Sequence, residues 1–267
     1  MLAAGSDNGN AVRELVSLGA NLNLQHPRTK STALHIAVEK TRVDVVRVLL
    51  EKGASIALSD FNDRTPLHIA ALGGSVEITR LLLAASPEAG LAKTREKMTP
   101  LMLAAMRGHT DLVMLLTANV KNVNDVDCMG NTALHYAAEN DFASTVAVLI
   151  EQRADVDKKN KEHVTPLMNA AGGGHRTVVR VLVNAKANVE AANKLGVTPL
   201  MYAAIGGNTE VIEELIRAGA IIDAESDDEI TPLQFAESYG NNEAVELLKL
   251  AQEKQLEFGA ECLEAQS

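Results

Sequence analysis

Tryptophan is absent from this chain of 267 residues, and tyrosine and phenylalanine number only three and four. So few aromatics leave little to stack nucleic-acid bases or to fill an aromatic-rich β-sandwich. Apolar residues still make up 46% of the chain, mostly Ala, Leu, Val and Ile, a composition suited to closely packed helices. Cysteine is equally scarce. Cys128 and Cys262 stand far apart, which excludes a disulfide framework. No Asn-x-Ser/Thr sequon occurs, no apolar run approaches about 18 residues, and no charged-then-apolar leader opens the sequence. The expectation is an intracellular, cytoplasmic protein that does not insert into a membrane. Positive charge is the minority sign. A formal net charge of −10 repels a phosphate backbone, so no nucleic-acid partner is expected.

The usual catalytic signatures are missing too. There is no G-x-S-x-G, H-E-x-x-H, C-x-x-C or Walker sequence. One stretch imitates a phosphate loop: "AAGGGHRTVVRVL", residues 170–182, runs three glycines and two cations into an apolar segment.

Repetition decides what that stretch is. The motif "STALH" at residues 31–35 returns as "RTPLH" at 64–68, "MTPLM" at 98–102 and "NTALH" at 131–135. It returns again as "VTPLM" at 164–168 and 197–201, and as "ITPLQ" at 230–234. The threonines are Thr32, Thr65, Thr99, Thr132, Thr165, Thr198 and Thr231, spaced by 33, 34, 33, 33, 33 and 33. Each threonine stands where a helix N-cap belongs, and Pro199 and its counterparts take the first helical position. Alanine pairs such as Ala70/Ala71 and Ala203/Ala204 let neighbouring helices approach. A glycine then ends the short helix in the left-handed conformation. A second apolar helix follows, as in "TEVIEELIRAG", residues 209–219. In this register residues 170–182 align with "AALGGSVEITRLL" and "AAIGGNTEVIEEL", so the glycines mark an inter-helix turn.

The pattern resembles the ankyrin repeat family, whose period of about 33 residues and T-P-L-H-x-A core it matches over nearly the whole chain. The resemblance implies an all-α repeat fold: a solenoid of helix-turn-helix units with projecting β-hairpin loops. One domain over residues 1–250 is expected, with a partial copy at 1–24 and seven copies from about 25 to 250. Residues 251–267 would be a capping helix or tail. Polar "GSDNGN" at 5–10 and "QEKQLEFGAECLE" at 252–264 suit end caps.

Three copies depart from the pattern. "AASPEAGLAK", residues 84–93, carries an extra residue, and Pro87 should end its helix early and reshape the hairpin. The first loop contains Pro27 and lacks the usual glycine. The fourth copy has Asp141 and Phe142 in place of Gly-His.

None of the recurring polar residues reads as chemistry. His35, His68 and His135 fall on helices about 8–10 Å apart, too far to share a metal that needs ligands at about 2 Å. The resemblance gives this histidine a structural role, tying loop to helix. The acidic run "ESDDE", residues 225–229, lacks a calcium loop's spacing and reads as a solvated tip. Neither cofactor nor metal is expected, and the chain is not expected to be an enzyme. Asn23 and Asn124 occupy the loop position that an asparaginyl hydroxylase modifies in ankyrin domains, so the resemblance makes them candidate hydroxylation sites.

A partner protein or peptide is expected instead, bound by a monomeric scaffold through the concave side of the stack. The exposed flank of the first helices would present Leu72, Met106, Arg107, Glu139, Ile205 and Tyr239. Gly172 and Gly173 would leave a bare gap in it. The loop tips would add Arg64, Arg95, Met98, Lys161 and His163, whose basic character suits an acidic or phosphorylated segment. The alternative is a targeting or regulatory module of a larger enzyme or channel.

Overall fold

Threonine sets where the first helix of each repeat begins. Thr99 Oγ1 accepts the Met102 N–H at 3.3 Å, Thr165 Oγ1 that of Met168 at 3.4 Å, and Thr231 Oγ1 that of Gln234 at 3.3 Å. Proline at the first helical position costs nothing there, since its missing N–H would have had no helical partner. The computed structural model describes residues 1–6 and 8–264, with side chains described as far as residue 255. Its helices divide between two compact units, residues 1–133 with 151–154 and residues 134–150 with 155–267.

The first unit contains α1 (Leu2–Gly5), α2 (Gly9–Ser17), α3 (Ala33–Glu39), α4 (Val43–Glu51), α5 (Pro66–Gly73), α6 (Val76–Ala85), α7 (Pro100–Met106) and α8 (Thr110–Thr117). Odd-numbered helices pack in one row, α1 on α3 on α5 on α7. Even-numbered helices pack in a second row, α2 on α4 on α6 on α8. Each short first helix also packs on the second helix of its own repeat. The paired alanines lie in the first row, with Ala71, Ala104 and Ala105 fully buried. Leu49, Leu82 and Leu116 fill the space beneath the second row.

The second unit repeats the plan with α9 (Ala133–Glu139), α10 (Ala143–Glu151), α11 (Pro166–Gly172), α12 (Arg176–Asn184), α13 (Pro199–Gly206), α14 (Thr209–Arg217), α15 (Pro232–Ser238) and α16 (Asn242–Glu264). Here α11, α13 and α15 form one row, and α12, α14 and α16 the other. Helix α16 runs without a break across residue 250, so the last repeat and the expected cap share one helix. Cys262 and the other side chains of the 256–267 tail lie outside the described residues. Among the described residues no helix is long and apolar enough to cross a membrane.

The projecting loops are tight turns, and no strand occurs among the described residues. In the loops before the second and later capping threonines, one short polar side chain organises the turn, five residues before the threonine. The first loop has Pro27 there, and His26 Nδ1 takes the Thr29 N–H instead, at 3.3 Å. Asp127 Oδ1 accepts the N–H groups of Met129 and Asn131, both at 2.8 Å. Asn160 and Asn193 do the same for their own loops. Single backbone bonds, not a ladder, join loop to loop: Cys128 N–H to Glu96 O at 2.8 Å, and Lys194 N–H to Glu162 O at 3.1 Å.

Two departures resolve differently from expectation. Pro87 does not shorten its helix, because α6 runs ten residues to Ala85. Instead it restricts Ser86 to an extended backbone (φ −155°) and starts a 3-10 turn, Pro87–Leu91, where other repeats have a glycine turn. The fourth copy keeps the helix-stopping geometry without glycine: Asp141 takes φ 62°, close to the 68° of Gly207.

Candidate partner-binding surface

The last turn of each first helix carries the flank residues, and the next repeat holds that turn in place. His109 Nε2–H donates to Leu72 O at 3.2 Å, and His175 Nε2–H to Glu139 O at 2.8 Å. Asn208 Nδ2 bridges Ala171 O and Gly172 O at 2.9 and 3.0 Å. Asn241 Nδ2 bridges Ala204 O and Ile205 O, both at 2.8 Å. Each donor reaches the last carbonyls of the helix, of which Ala171 O and Ala204 O also accept the N–H groups of Gly174 and Gly207 at 3.2 Å. The residue after the left-handed turn is therefore a cap for the preceding repeat. Its recurrence as His or Asn was the signal for that role.

The flank side chains differ in what they offer. Glu139 and Arg107 are exposed, and Tyr239 is 62% exposed. Leu72, Met106 and Ile205 are half-buried. In the first unit, Leu72, Arg107 and Arg64 line one cavity of about 380 Å³ with Glu39, Val38 and Ile69. Ile69 was not singled out from sequence. It sits one turn before Leu72 on the same helix face, as Tyr202 does before Ile205.

The Gly172–Gly173 gap is narrowed by two neighbouring side chains. A methyl group on Gly172 would stand 3.4 Å from Cδ1 of Tyr202, and one on Gly173 would overlap the His175 imidazole. Tyr202 is fixed in turn, its hydroxyl taking a bond from Asn193 Nδ2 at 3.1 Å. Both glycines remain exposed, with Tyr202 and His175 bordering them.

At the loop tips, the Arg95 side chain is 73% exposed, with Asp63 at 3.1 Å. Lys161 and His163 are exposed. His163 takes φ 58°, the left-handed position that Gly130 and Gly196 fill in other loops. Met98 is not a tip residue. It is buried just before Thr99, and its carbonyl accepts His68 Nε2–H at 3.1 Å. Arg64 is only partly available, since its Nε and Nη2 donate to Asp60 Oδ2 at 3.0 and 2.7 Å. Burial alone would raise the Asp60 carboxyl, but the Arg64 guanidinium and the backbone N–H groups of Arg64 and Asn62 hold it below its ordinary value.

The candidate asparagines are loop residues. Asn23 is exposed, and its Oδ1 accepts the Ser55 N–H of the following loop at 2.8 Å. Asp157 makes the equivalent bond to Asn188 N–H, also at 2.8 Å. Asn124 is half-buried, with its own N–H on Asn122 Oδ1 at 3.0 Å. Among the described residues no group of three or more His, Cys, Asp or Glu side chains could hold a metal ion.

Comparison with known proteins agrees with this architecture. The family description "Ankyrin repeats (3 copies)" matches residues 1–91, 85–160, 144–225 and 167–257. The chain belongs to the ankyrin repeat family. Ankyrin repeats generally mediate protein–protein interaction. Among curated relatives, Neurogenic locus notch homolog protein 1 of Xenopus tropicalis is 34% identical over 161 residues, 60% of this chain. The Homo sapiens protein of that name is 33% identical over 159 residues, and Neurogenic locus notch homolog protein 2 of Homo sapiens 32% over 160. The match spans only 6% of the length of each of these relatives.

Proposed function

We propose that this ankyrin repeat chain is a non-catalytic scaffold that binds a partner protein or peptide through the first-helix flank and the loop tips. The observation that carries this reading is the first-unit cavity, where Leu72 and Arg107 come together beside Arg64. A concave, largely preformed site whose lining mixes apolar and polar side chains suits a peptide side chain. Exposed Arg95 and Lys161 at the tips favour a partner with an acidic or phosphorylated stretch. We place the scaffold in the cytoplasm as a monomer, in keeping with two well-separated cysteines and an acidic surface.

Affinity capture followed by Met106→Ala, Arg107→Ala and Tyr239→Ala tests the reading. Each substitution should weaken the captured partner about threefold or more and leave the melting temperature nearly unchanged, because none of these side chains is fully buried. Binding unchanged in all three variants would sink it. A second reading, a targeting module of a larger enzyme or channel, draws on the relatives, in which the matching stretch is a small part of a long chain.

A further inference from the structure

The first-unit cavity carries more information than its shape. It crosses three successive repeats. Glu39 ends α3 on one side, Leu72 lies in the last turn of α5 at the middle, and Arg107 follows α7 on the other side. The charges in the lining fall into two groups. Arg64 and Asp60 satisfy each other at 2.7 Å. Glu39 and Arg107 are exposed, and neither has an ion pair or side-chain hydrogen bond among the described residues. The charge left open to a ligand is therefore one carboxylate and one guanidinium, with Leu72 and Ile69 of the intervening α5 between them.

We infer that this cavity selects a charge-balanced segment of its partner: an extended stretch with a cationic side chain for Glu39, an apolar side chain for the floor at Leu72, and an anionic side chain for Arg107. The inference rests on the scaffold reading and refines it for this site. A segment carrying only negative charge satisfies Arg107 but sets a second anion beside Glu39, where like charges repel. Spacing supports an extended strand. Alternate residues of such a strand face one way, so positions one, three and five span about 13 Å. Glu39 and Arg107 stand on helices two packing steps apart, about 16–20 Å. Their own reach and that of the ligand's long side chains close the difference. A volume of about 380 Å³ accommodates the central side chain while the charged ends lie at the open rim.

Labelled synthetic peptides titrated against the full chain test this. Each has leucine at the centre of a five-residue core, with the first and last positions varied and the second and fourth glycine. The charge-balanced forms (arginine and glutamate, in either order) should bind the wild-type chain roughly tenfold tighter than the glutamate–glutamate form or a phosphoserine form, about threefold for each ion pair gained or repulsion avoided. Arg107→Glu leaves two carboxylates and should move the preference to the arginine–arginine peptide. Glu39→Lys leaves two cations and should move it to the glutamate–glutamate peptide. Folding is controlled within the experiment, because each variant is expected to gain a ligand as it loses one.

Wild-type preference for the doubly acidic or phosphorylated peptide overturns the inference. So does an absence of peptide binding, or variants that keep the wild-type order. A partner protein held by the wild-type chain and equally by both variants overturns the cavity's role and leaves the scaffold reading standing. A chain that captures no partner overturns the scaffold reading itself.

Discussion

His68 joins two repeats. Its Nε2–H donates to the carbonyl of Met98 in the next loop at 3.1 Å, while its Nδ1 accepts the Thr65 N–H of its own helix cap at 3.1 Å. A carbonyl can only accept, so the proton must sit on Nε2. His35 makes the same connection to Arg64 O at 3.1 Å and His135 to Val164 O at 3.0 Å. The ring works only when neutral, since a second proton on Nδ1 would face the Thr65 N–H.

Acid should therefore loosen the first unit before its carboxylates titrate. Burial lowers the pKa of both His35 and His68 below 6.5, against the raising effect of the backbone bonds and the Asp60 carboxylate, with Arg64 lowering them further. Between the folded value and 6.5 the unfolded chain binds more protons, so stability rises with pH there. The contribution is complete above about pH 6.5 and is lost as pH falls through the folded pKa values. Urea melts between pH 8 and pH 5 should show this slope, and His68→Gln should reduce it. Glutamine is the conservative probe because Gln234 holds the equivalent cap, its Oε1 accepting Thr231 N–H at 2.8 Å. A slope unchanged in His68→Gln would remove His68 from the account.

Asp60 and Arg64 give the second prediction. The carboxylate of Asp60 is buried and takes two backbone N–H bonds besides the guanidinium. Asp60→Asn keeps the backbone bonds, as Asn160 and Asn193 do in their loops, and should cost about 1 kcal/mol. Asp60→Ala loses every bond and should cost about 2–3 kcal/mol, with Arg64→Ala between the two. The pair's contribution is present above the ordinary carboxylate range and lost as pH falls through the lowered folded value. Equal losses in Asn and Ala variants, measured by chemical denaturation, would show that the backbone bonds contribute little.

Much of this was legible because the repeat writes the same physics seven times. Thr99 and its counterparts announced their helix starts, and Gly74 and Gly207 their stops. What sequence left out were contacts between repeats. Arg64 looked like a free cation because its partner, Asp60, stands four residues away across a turn whose geometry a sequence does not display. Met98 looked exposed because it neighbours a charged tip, yet the turn folds it inward. Gly172 and Gly173 are open surface, but that Tyr202 and His175 border them did not show, because those residues come from the next helix and the following turn. Asn208 and Asn241 recurred in register, but their role depends on a carbonyl 36 or 37 residues back.

Thr79 is a polar group in an apolar place. It lies in α6 at the position held by Val46 in α4 and Val113 in α8, it is fully buried, and its hydroxyl has no hydrogen-bond partner among the described residues. An unpaired buried hydroxyl costs about 1–3 kcal/mol, and valine has nearly the same shape. Thr79→Val should raise stability by about 1 kcal/mol, a shift of a few degrees in melting temperature. A lowered melting temperature would mean that the hydroxyl finds a partner in solution.

Gly206 closes α13 against the end of α11. A methyl group there would overlap the Asn208 amide and stand 2.8 Å from the carbonyl oxygen of Gly172. The amide could swing aside, but it would then abandon its bonds to Ala171 O and Gly172 O. The carbonyl cannot move without shifting the end of α11. Both responses cost energy, so Gly206→Ala should destabilise the second unit by about 1–3 kcal/mol, although alanine is the better helix former by about 1 kcal/mol. Gly73→Ala is the control. It holds the matching place at the end of α5, where a methyl group meets nothing within 4 Å, and it should be neutral or stabilising. Thermal melts of the two variants separate the explanations. A loss confined to Gly206→Ala identifies close approach between repeats as the reason for glycine at this position. Equal behaviour would trace it to the helix end alone.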